Sequence, residues 1–111
     1  MLKVTKSKEY QDCYLRGKKI TTQHFIVFVK LRQPDHLGPK LGIAVTKKVG
    51  KAVFRNRIKR LIREGFRQSK LGQSDADVDV VVVAKKGIKK QDLTLDSVKK
   101  QLDFVLTHVN S

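Results

Sequence analysis

The sequence is short of the residues that staple, kink or span. In 111 residues it has one cysteine, two prolines, no tryptophan and ten acids. A lone Cys13 excludes an intrachain disulfide and points to a reducing compartment, the cytoplasm. Apolar runs stop at strand length, Phe25 to Val29 and Val80 to Ala84, well short of the roughly 18 residues of a spanning helix. The opening Met1 to Lys6 has no apolar stretch behind its charges, so no secretory signal is expected. No repeat, low-complexity tract or linker interrupts the chain, and its length suits one domain over 1–111. Hydrophobic residues are 40% of the total, enough to supply a core and to exclude disorder throughout.

The scarcity of acid carries the most information. Against 10 Asp+Glu stand 25 Lys+Arg, a formal charge of +15. A chain that repels itself this strongly needs a polyanion, and the candidates are nucleic acid, an anionic membrane surface or an acidic protein.

Periodicity and turn residues divide the chain into α, β, β, β, α, β and α. Ser7 is placed to cap a helix running to about Arg16 and closed by Gly17. Lys18 to Gln23 is a weak strand, His24 to Arg32 a strong one, and Gln33 to Pro39 a turn or hairpin loop. Lys40 to Thr46 follows as a strand. Lys51 to about Gln68 is the main helix, with Phe54, Ile58, Leu61, Ile62 and Gly65 along one side at about 100° per residue. Ser69 to Asp77 is a polar loop. Val78 to Ala84, nearly all β-branched, suits a strand buried on both faces. Thr94 can cap a last helix carrying Leu95, Val98, Leu102, Val105, Leu106 and Val109. This order is an α+β, two-layer αβββαβα sandwich.

Strand parity then exposes a second sheet face. Phe25, Val27 and Val29 are wholly apolar, as are Leu41, Ile43 and Val45. The alternate residues are mixed: His24, Ile26, Phe28 and Lys30 on one strand, Lys40, Gly42, Ala44 and Thr46 on the next. A face with small side chains, one Phe and flanking lysines is either covered by the first helix or open as a shallow trough for a nucleic-acid strand, or part of each. Aromatics there would stack bases and lysines would meet phosphates. Tyr10 and Tyr14, four apart, share one side of the first helix.

From Lys47 to Lys70 there are ten basic residues and one acid, Glu64, hence +9 in 24 residues. Opposite the apolar stripe, Asn56, Arg60, Arg63 and Arg67 line up, with Arg55 and Lys59 on one flank and Arg57 on the other. Solvated helix faces normally mix signs. Like charges spaced three and four apart destabilise an isolated helix, so a partner that offsets them is expected, and Arg forks bind phosphate bidentately. Gly50 and the backbone N–H groups at the helix start would accept an anion, although the spacing of a Walker A loop is absent. The helix has few bulky apolar residues to spare for lipid.

The run Val53-Phe54-Arg55-Asn56-Arg57-Ile58-Lys59-Arg60-Leu61-Ile62-Arg63-Glu64, preceded by Gly42 to Ala52, resembles the protein component of bacterial ribonuclease P. Ser7 to Gly17 with its paired aromatics, His24 to Phe28, and Ala84-Lys85-Lys86 add to the match. The resemblance implies a ribosomal protein S5 domain 2-like fold with a left-handed β-α-β crossover. It implies a protein that binds a catalytic RNA and the 5′ leader of precursor tRNA, one copy per RNA, while the RNA removes the leader with magnesium ions that it largely holds itself. By that resemblance Tyr10, Tyr14 and Phe28 line the leader cleft, with Thr46, Lys47, Lys48, Lys85 and Lys86 as further leader contacts. Arg55, Asn56, Arg57, Lys59, Arg60, Arg63 and Arg67 face the catalytic RNA. Tyrosines stand where phenylalanine is frequent in the family, and Lys85 where arginine is common.

The residues suggest binding rather than protein-borne catalysis. A nuclease needs acids, bases or metal ligands converging on a phosphate. The one acidic cluster, Asp75, Asp77 and Asp79, lacks the Gly and terminal Glu of an EF-hand loop and suits a solvated loop and strand edge, with cation binding left open. His24, His36 and His108 share no ligand spacing with Cys13, and Cys13 has no His/Asn partnership. No protein catalytic residue and no protein metal site are therefore expected. A ribosomal or RNA-chaperone protein without a ribozyme partner is the alternative, and a stand-alone metal nuclease would have to rest on the Asp cluster.

Overall fold

In a computed structural model, which describes residues 2–109, five strands form one mixed sheet in the order β1-β4-β5-β3-β2. The strands are β1 (Leu2–Lys3), β2 (Lys18–Thr21), β3 (Phe25–Leu31), β4 (Lys40–Ala44) and β5 (Val78–Ala84), and the helices α1 (Ser7–Arg16), α2 (Ala52–Gln68), α3 (Lys70–Gln73) and α4 (Leu95–Val109). β4 runs parallel to both β1 and β5, whereas β3 is antiparallel to β5 and to β2. The parallel neighbours β4 and β5 are joined through α2 and α3, an arrangement consistent with the expected S5-like fold.

The two sheet faces are used differently. On one, Phe25, Val27 and Val29 lie in register with Ala84, Val82 and Val80, and Leu41 and Ile43 continue the rows from β4. Ile58, Ile62 and Phe66 of α2, Leu71 of α3, and Val98, Leu102 and Val105 of α4 close this core. Gly65 lets α2 and α4 approach, since a Cβ there would lie 2.5 Å from Val98 Cγ1. On the other face α1 packs alone, seating Cys13 over β3 and β5. The Cys13 thiol lies 3.3 Å from the Phe28 carbonyl and 3.7 Å from that of Asp79. β5 is thus covered on both sides, as its apolar run Val80 to Ala84 requires.

Several boundaries differ from those the sequence suggests. β1 is too short to carry a periodic pattern, yet it aligns with β4 and brings Val4, 4% exposed, into the interior. Lys6, not Ser7, is the N-cap of α1, and its N–H donates to the Glu9 carboxylate at 3.2 Å. That bond is the main reason Glu9 titrates below the ordinary carboxylate range. The polar loop 69–77 contains α3, because Leu71 turns inward to complete burial and Ser69 Oγ accepts the Gly72 N–H at 3.0 Å. Thr94 caps α4 as expected, exchanging bonds of 3.1 and 3.2 Å with Ser97.

The acidic cluster is corrected more substantially. Asp79 is 5% exposed and belongs to a network around Arg32, so it is not part of a solvated edge. Arg32 Nη1 donates to Asp79 Oδ1 at 3.1 Å and to the Val78 carbonyl at 2.6 Å. Its Nε and Nη2 fork meets Asp35 at 3.0 and 2.9 Å, and Nη2 also reaches the Gly38 carbonyl at 2.6 Å. Asp77 accepts the Gly38 N–H at 3.0 Å and the His36 N–H at 3.3 Å. The reason is topological. β5 lies between β3 and β4, so loop 33–39 must cross the entry of β5, and these groups fix the crossing. The Arg32 guanidinium accordingly holds the Asp35 carboxyl well below the usual range.

Removing the guanidinium would leave Asp79 buried without its charge partner. Arg32→Ala is expected to lower unfolding free energy by about 3–5 kcal/mol in urea titrations. Lys100→Ala, which breaks the exposed 3.0 Å pair with Asp96, should stay within about 0.5 kcal/mol. Equal losses for the two would contradict this assignment.

Burial, and after it the Asp79 charge, pushes the Cys13 thiol up to about 11 from its ordinary 9.0. The folded chain keeps this proton when the unfolded chain has lost it. The resulting stabilisation is complete below about pH 9 and is lost as pH rises toward 11. The wild-type urea midpoint should therefore fall more steeply over that window than that of Cys13→Ala. At pH 8 a thiol reagent should label Cys13 no faster than the chain unfolds.

Candidate nucleic-acid interface

Where α1 stops, the second sheet face opens. The register aligns Thr21, Ile26, Val83 and Ala44 in one row across four strands. Ile26, Val83 and Ala44 are half-buried, while Val81 beneath α1 is fully buried. The row's inner three positions, Ile26, Val83 and Ala44, form an apolar floor that is lowest at Ala44. Along it stand the expected aromatics: Tyr14 meets Phe28 edge-on at 5.0 Å between ring centroids, and Tyr10 follows at 6.5 Å from Tyr14. Burial is the main cause that raises the Tyr14 pKa, so the phenol stays neutral at physiological pH. The face is both covered and open, divided along the line of Tyr10, Tyr14 and Phe28.

His24 does not belong to this trough. It precedes β3 and turns to α4, where its Nδ1 lies 3.0 Å from Gln101 Nε2 and its backbone N–H donates to Gln101 Oε1 at 2.8 Å. Alternation holds only within paired strand, and the bend before Phe25 resets it.

β4 and β5 are parallel, so the segments that follow them emerge at the same end of the trough. Thr46, Lys47 and Lys48 are exposed there in a 3₁₀ turn and its cap, and Lys86 is exposed after β5. Lys85 is half-buried, with its Nζ donating to the Thr22 carbonyl at 2.6 Å.

α2 turns Asn56, Arg57, Arg60, Arg63 and Arg67 outward and exposed. Arg67 pairs with Glu64, whose carboxyl this bond holds below its ordinary range. Arg55 is half-buried, and its Nε donates to the Gly50 carbonyl at 3.1 Å. The helix begins at Lys51 without a side-chain cap, and its first turn has no acid to complement the dipole. Lys59 and Arg63 face α1 and line a cleft of about 200 Å³ with Tyr10, Lys3, Val4 and Ile43. The structure thus brings the aromatic and cationic groups together at β4. Asn56, Arg57 and Arg60 lie apart from Tyr10, in a second depression beside Lys90.

Lys3, Lys90 and the seating role of Gly42 escape sequence reasoning. Lys3 and Lys90 come from segments without periodicity. An isolated glycine within a strand is itself a sign of close backbone approach, and Gly42 lies against the Tyr10 ring, where a Cβ would stand 2.9 Å from Cε1. Among the described residues no group of three or more His, Cys, Asp or Glu is arranged to hold a metal ion. Nor is any described helix long and apolar enough to cross a membrane.

A mixed sheet with a helix layer on one face and α1 on the other, an aromatic-edged trough and a cationic helix define a small α+β domain with a surface complementary to a polyanion. The family model described as Ribonuclease P matches residues 2–110. The ribonuclease P protein component of Staphylococcus haemolyticus is 38% identical over 105 residues, covering 94% of this chain and 86% of its own. That of Desulfovibrio desulfuricans is 45% identical over 85 residues, 77% of this chain and 65% of the relative, just under two thirds of its length. Among solved structures, the RNase P protein from Thermotoga maritima superposes with a TM-score of 0.82 at 27% identity over 98% of both chains. The RNase P protein of Staphylococcus aureus gives 0.76 at 31% identity over 96% of this chain and 94% of its own. The chain belongs to the ribonuclease P protein family, whose members are subunits of an endoribonuclease.

Gly42→Ala should push the Tyr10 ring aside and cost about 1–3 kcal/mol. With no tryptophan and only two tyrosines in the chain, near-ultraviolet dichroism and tyrosine emission report the displacement directly. Adding Tyr10→Ala should recover part of the loss, as expected of directly coupled residues. Unchanged spectra and stability in Gly42→Ala would contradict the close seat.

Proposed function

We propose that this chain is the protein subunit of a ribonuclease P holoenzyme, binding the catalytic RNA and the 5′ leader of precursor tRNA. The carrying observation is the line of Tyr10, Tyr14 and Phe28 along an apolar floor, ending beside the cations of α2. An extended single strand laid in the trough stacks bases on the rings, with phosphates toward Thr46, Lys47, Lys48, Lys85 and Lys86. Arg55, Asn56, Arg57, Lys59, Arg60, Arg63 and Arg67 meet the folded catalytic RNA, where phosphates offset their mutual repulsion.

The protein contributes binding and orientation, one copy per RNA, in the cytoplasm with its precursor substrates. The two depressions on α2 are lined by amines, guanidinia, one phenol, one amide and apolar groups, with no carboxylate. This donor set does not fit magnesium, a hard cation that takes oxygen ligands. In this reading the metal ions belong to the RNA, which hydrolyses the phosphodiester and leaves the mature tRNA with its 5′ phosphate. Holding the leader favours precursor over product, because the mature tRNA has nothing to place in the trough.

Tyr10→Ala and Phe28→Ala should each weaken precursor binding by the holoenzyme by about 1–3 kcal/mol and leave mature tRNA binding nearly unchanged. Arg60→Ala should weaken assembly with the RNA subunit and flatten the salt dependence, since each lost phosphate contact releases fewer counterions. Equal losses for precursor and mature tRNA would remove the leader trough from the proposal. Cleavage of precursor by the purified protein alone would overturn it, as would co-purification solely with ribosomal RNA.

A further inference from the structure

Beside the first turns of α2 lies a depression that phosphate binding alone does not explain. Its floor is apolar: Val53 is 84% exposed, and the half-buried Phe54 ring lies over Gly50. Around it stand Lys51, Arg57 and Arg60 of α2, and Lys90 from the short 3₁₀ turn after β5. Asn56 adds the only neutral amide, and no acid lines the cavity, whose volume is about 570 Å³.

A regular RNA helix presents phosphates and sugars at its surface and would leave Val53 and Phe54 facing water. A second copy of this chain would bring like charge against like charge. An apolar floor inside a cationic ring fits a group that is flat and apolar on its faces, polar at its edge and tethered to phosphates. A nucleobase turned out of its stack has these properties, and the volume lies within the range of small-ligand sites. We propose that this depression receives one unpaired nucleotide of the RNA partner. The base packs on Val53 and Phe54 with its edge toward the Asn56 amide, and its flanking phosphates lie between Lys90 and the Arg57 and Arg60 guanidinia. The site rests on the RNA-binding reading above and deepens it: the cationic helix reads a local irregularity in the RNA as well as its charge.

The experiment uses the full chain bound to the ribonuclease P RNA, with base reactivity probed at nucleotide resolution and affinity measured across salt concentrations. The wild-type protein should shield one or two unpaired bases that become reactive again in Val53→Asn, while the rest of its footprint persists. Affinity should fall about 5- to 20-fold, as for loss of one small apolar contact, with the salt slope unchanged. Val53→Ala, which favours helix, should show the same change in smaller measure, and both variants are surface substitutions at an exposed position that keep the native circular dichroism. Lys90→Ala should instead lower the salt slope by about one unit. Unchanged base reactivity and affinity in both Val53 variants would overturn the site and leave the RNA partner standing. A wild-type chain that binds the RNA yet shields no base would overturn the site alone, whereas one that does not bind the RNA would overturn the RNA reading with it. A glutamate-rich peptide that displaces the RNA from wild type but not from Val53→Asn would assign the depression to a protein and also overturn it.

Discussion

The seating of Ile58, Ile62 and Phe66 of α2 on the sheet holds together a helix whose exposed face repels itself. Five like-charged pairs sit three or four residues apart on that helix, Arg55–Lys59, Lys59–Arg63, Arg63–Arg67, Arg57–Arg60 and Arg60–Arg63. At about 0.2–0.5 kcal/mol each, they cost roughly 1–2.5 kcal/mol in water. Each of the three fully buried side chains contributes about 1.5–3 kcal/mol. Burial prevails by a clear margin, so the helix stands ready before any anion arrives. Gly65 strengthens that anchor by letting α4 come close enough to cover the stripe.

The opposite face is shaped by a lighter contact. α1 is short and buries only Cys13 fully, so it covers part of the sheet and leaves the row of Ile26, Val83 and Ala44 half-open. The small residues explain the fit: Gly42 admits the Tyr10 ring, and Ala44 keeps the floor low beyond it. A fixed helix on this face presents Tyr10 and Tyr14 beside Phe28 as pre-ordered rings, and little rotamer freedom remains to be lost on stacking.

Much of this was legible because it obeys a period. Strand parity in Phe25 to Val29 and Leu41 to Val45 separates the core face from the trough, and the stripe on α2 separates its anchor from its charges. Tyr10, Tyr14 and Phe28 also converge as their spacing and the family resemblance suggest. What escaped depends on contacts distant in sequence. β1 is two residues long and exists only because β4 offers an edge. Leu71 hides in a polar segment, and His24 loses its parity at a bend and answers to Gln101 instead. Asp77 and Asp79 look like a solvated edge until the sheet order puts a loop across the start of β5. Only then does Arg32 become the group that needs them.

The chain also explains how the aromatic and cationic groups come to be adjacent. β4 is followed almost at once by α2, with only the turn of 45–51 between them. One continuous segment therefore supplies the trough floor at Gly42 and Ala44, the exposed lysines at the trough end, and the cationic face beyond. Tyr10 reaches over β4 to meet Lys59 and Arg63 in the same cleft, and the core beneath Ile58 and Ile62 keeps that spacing rigid. If a folded RNA sits on α2, a single strand in the trough is then held at a set distance and direction from it. Binding of the second becomes effectively intramolecular. A looser joint between β4 and α2 would keep both charges and both sets of rings and lose this advantage. In the proposed function the short turn and the buried stripe therefore matter to recognition as much as any residue placed against RNA.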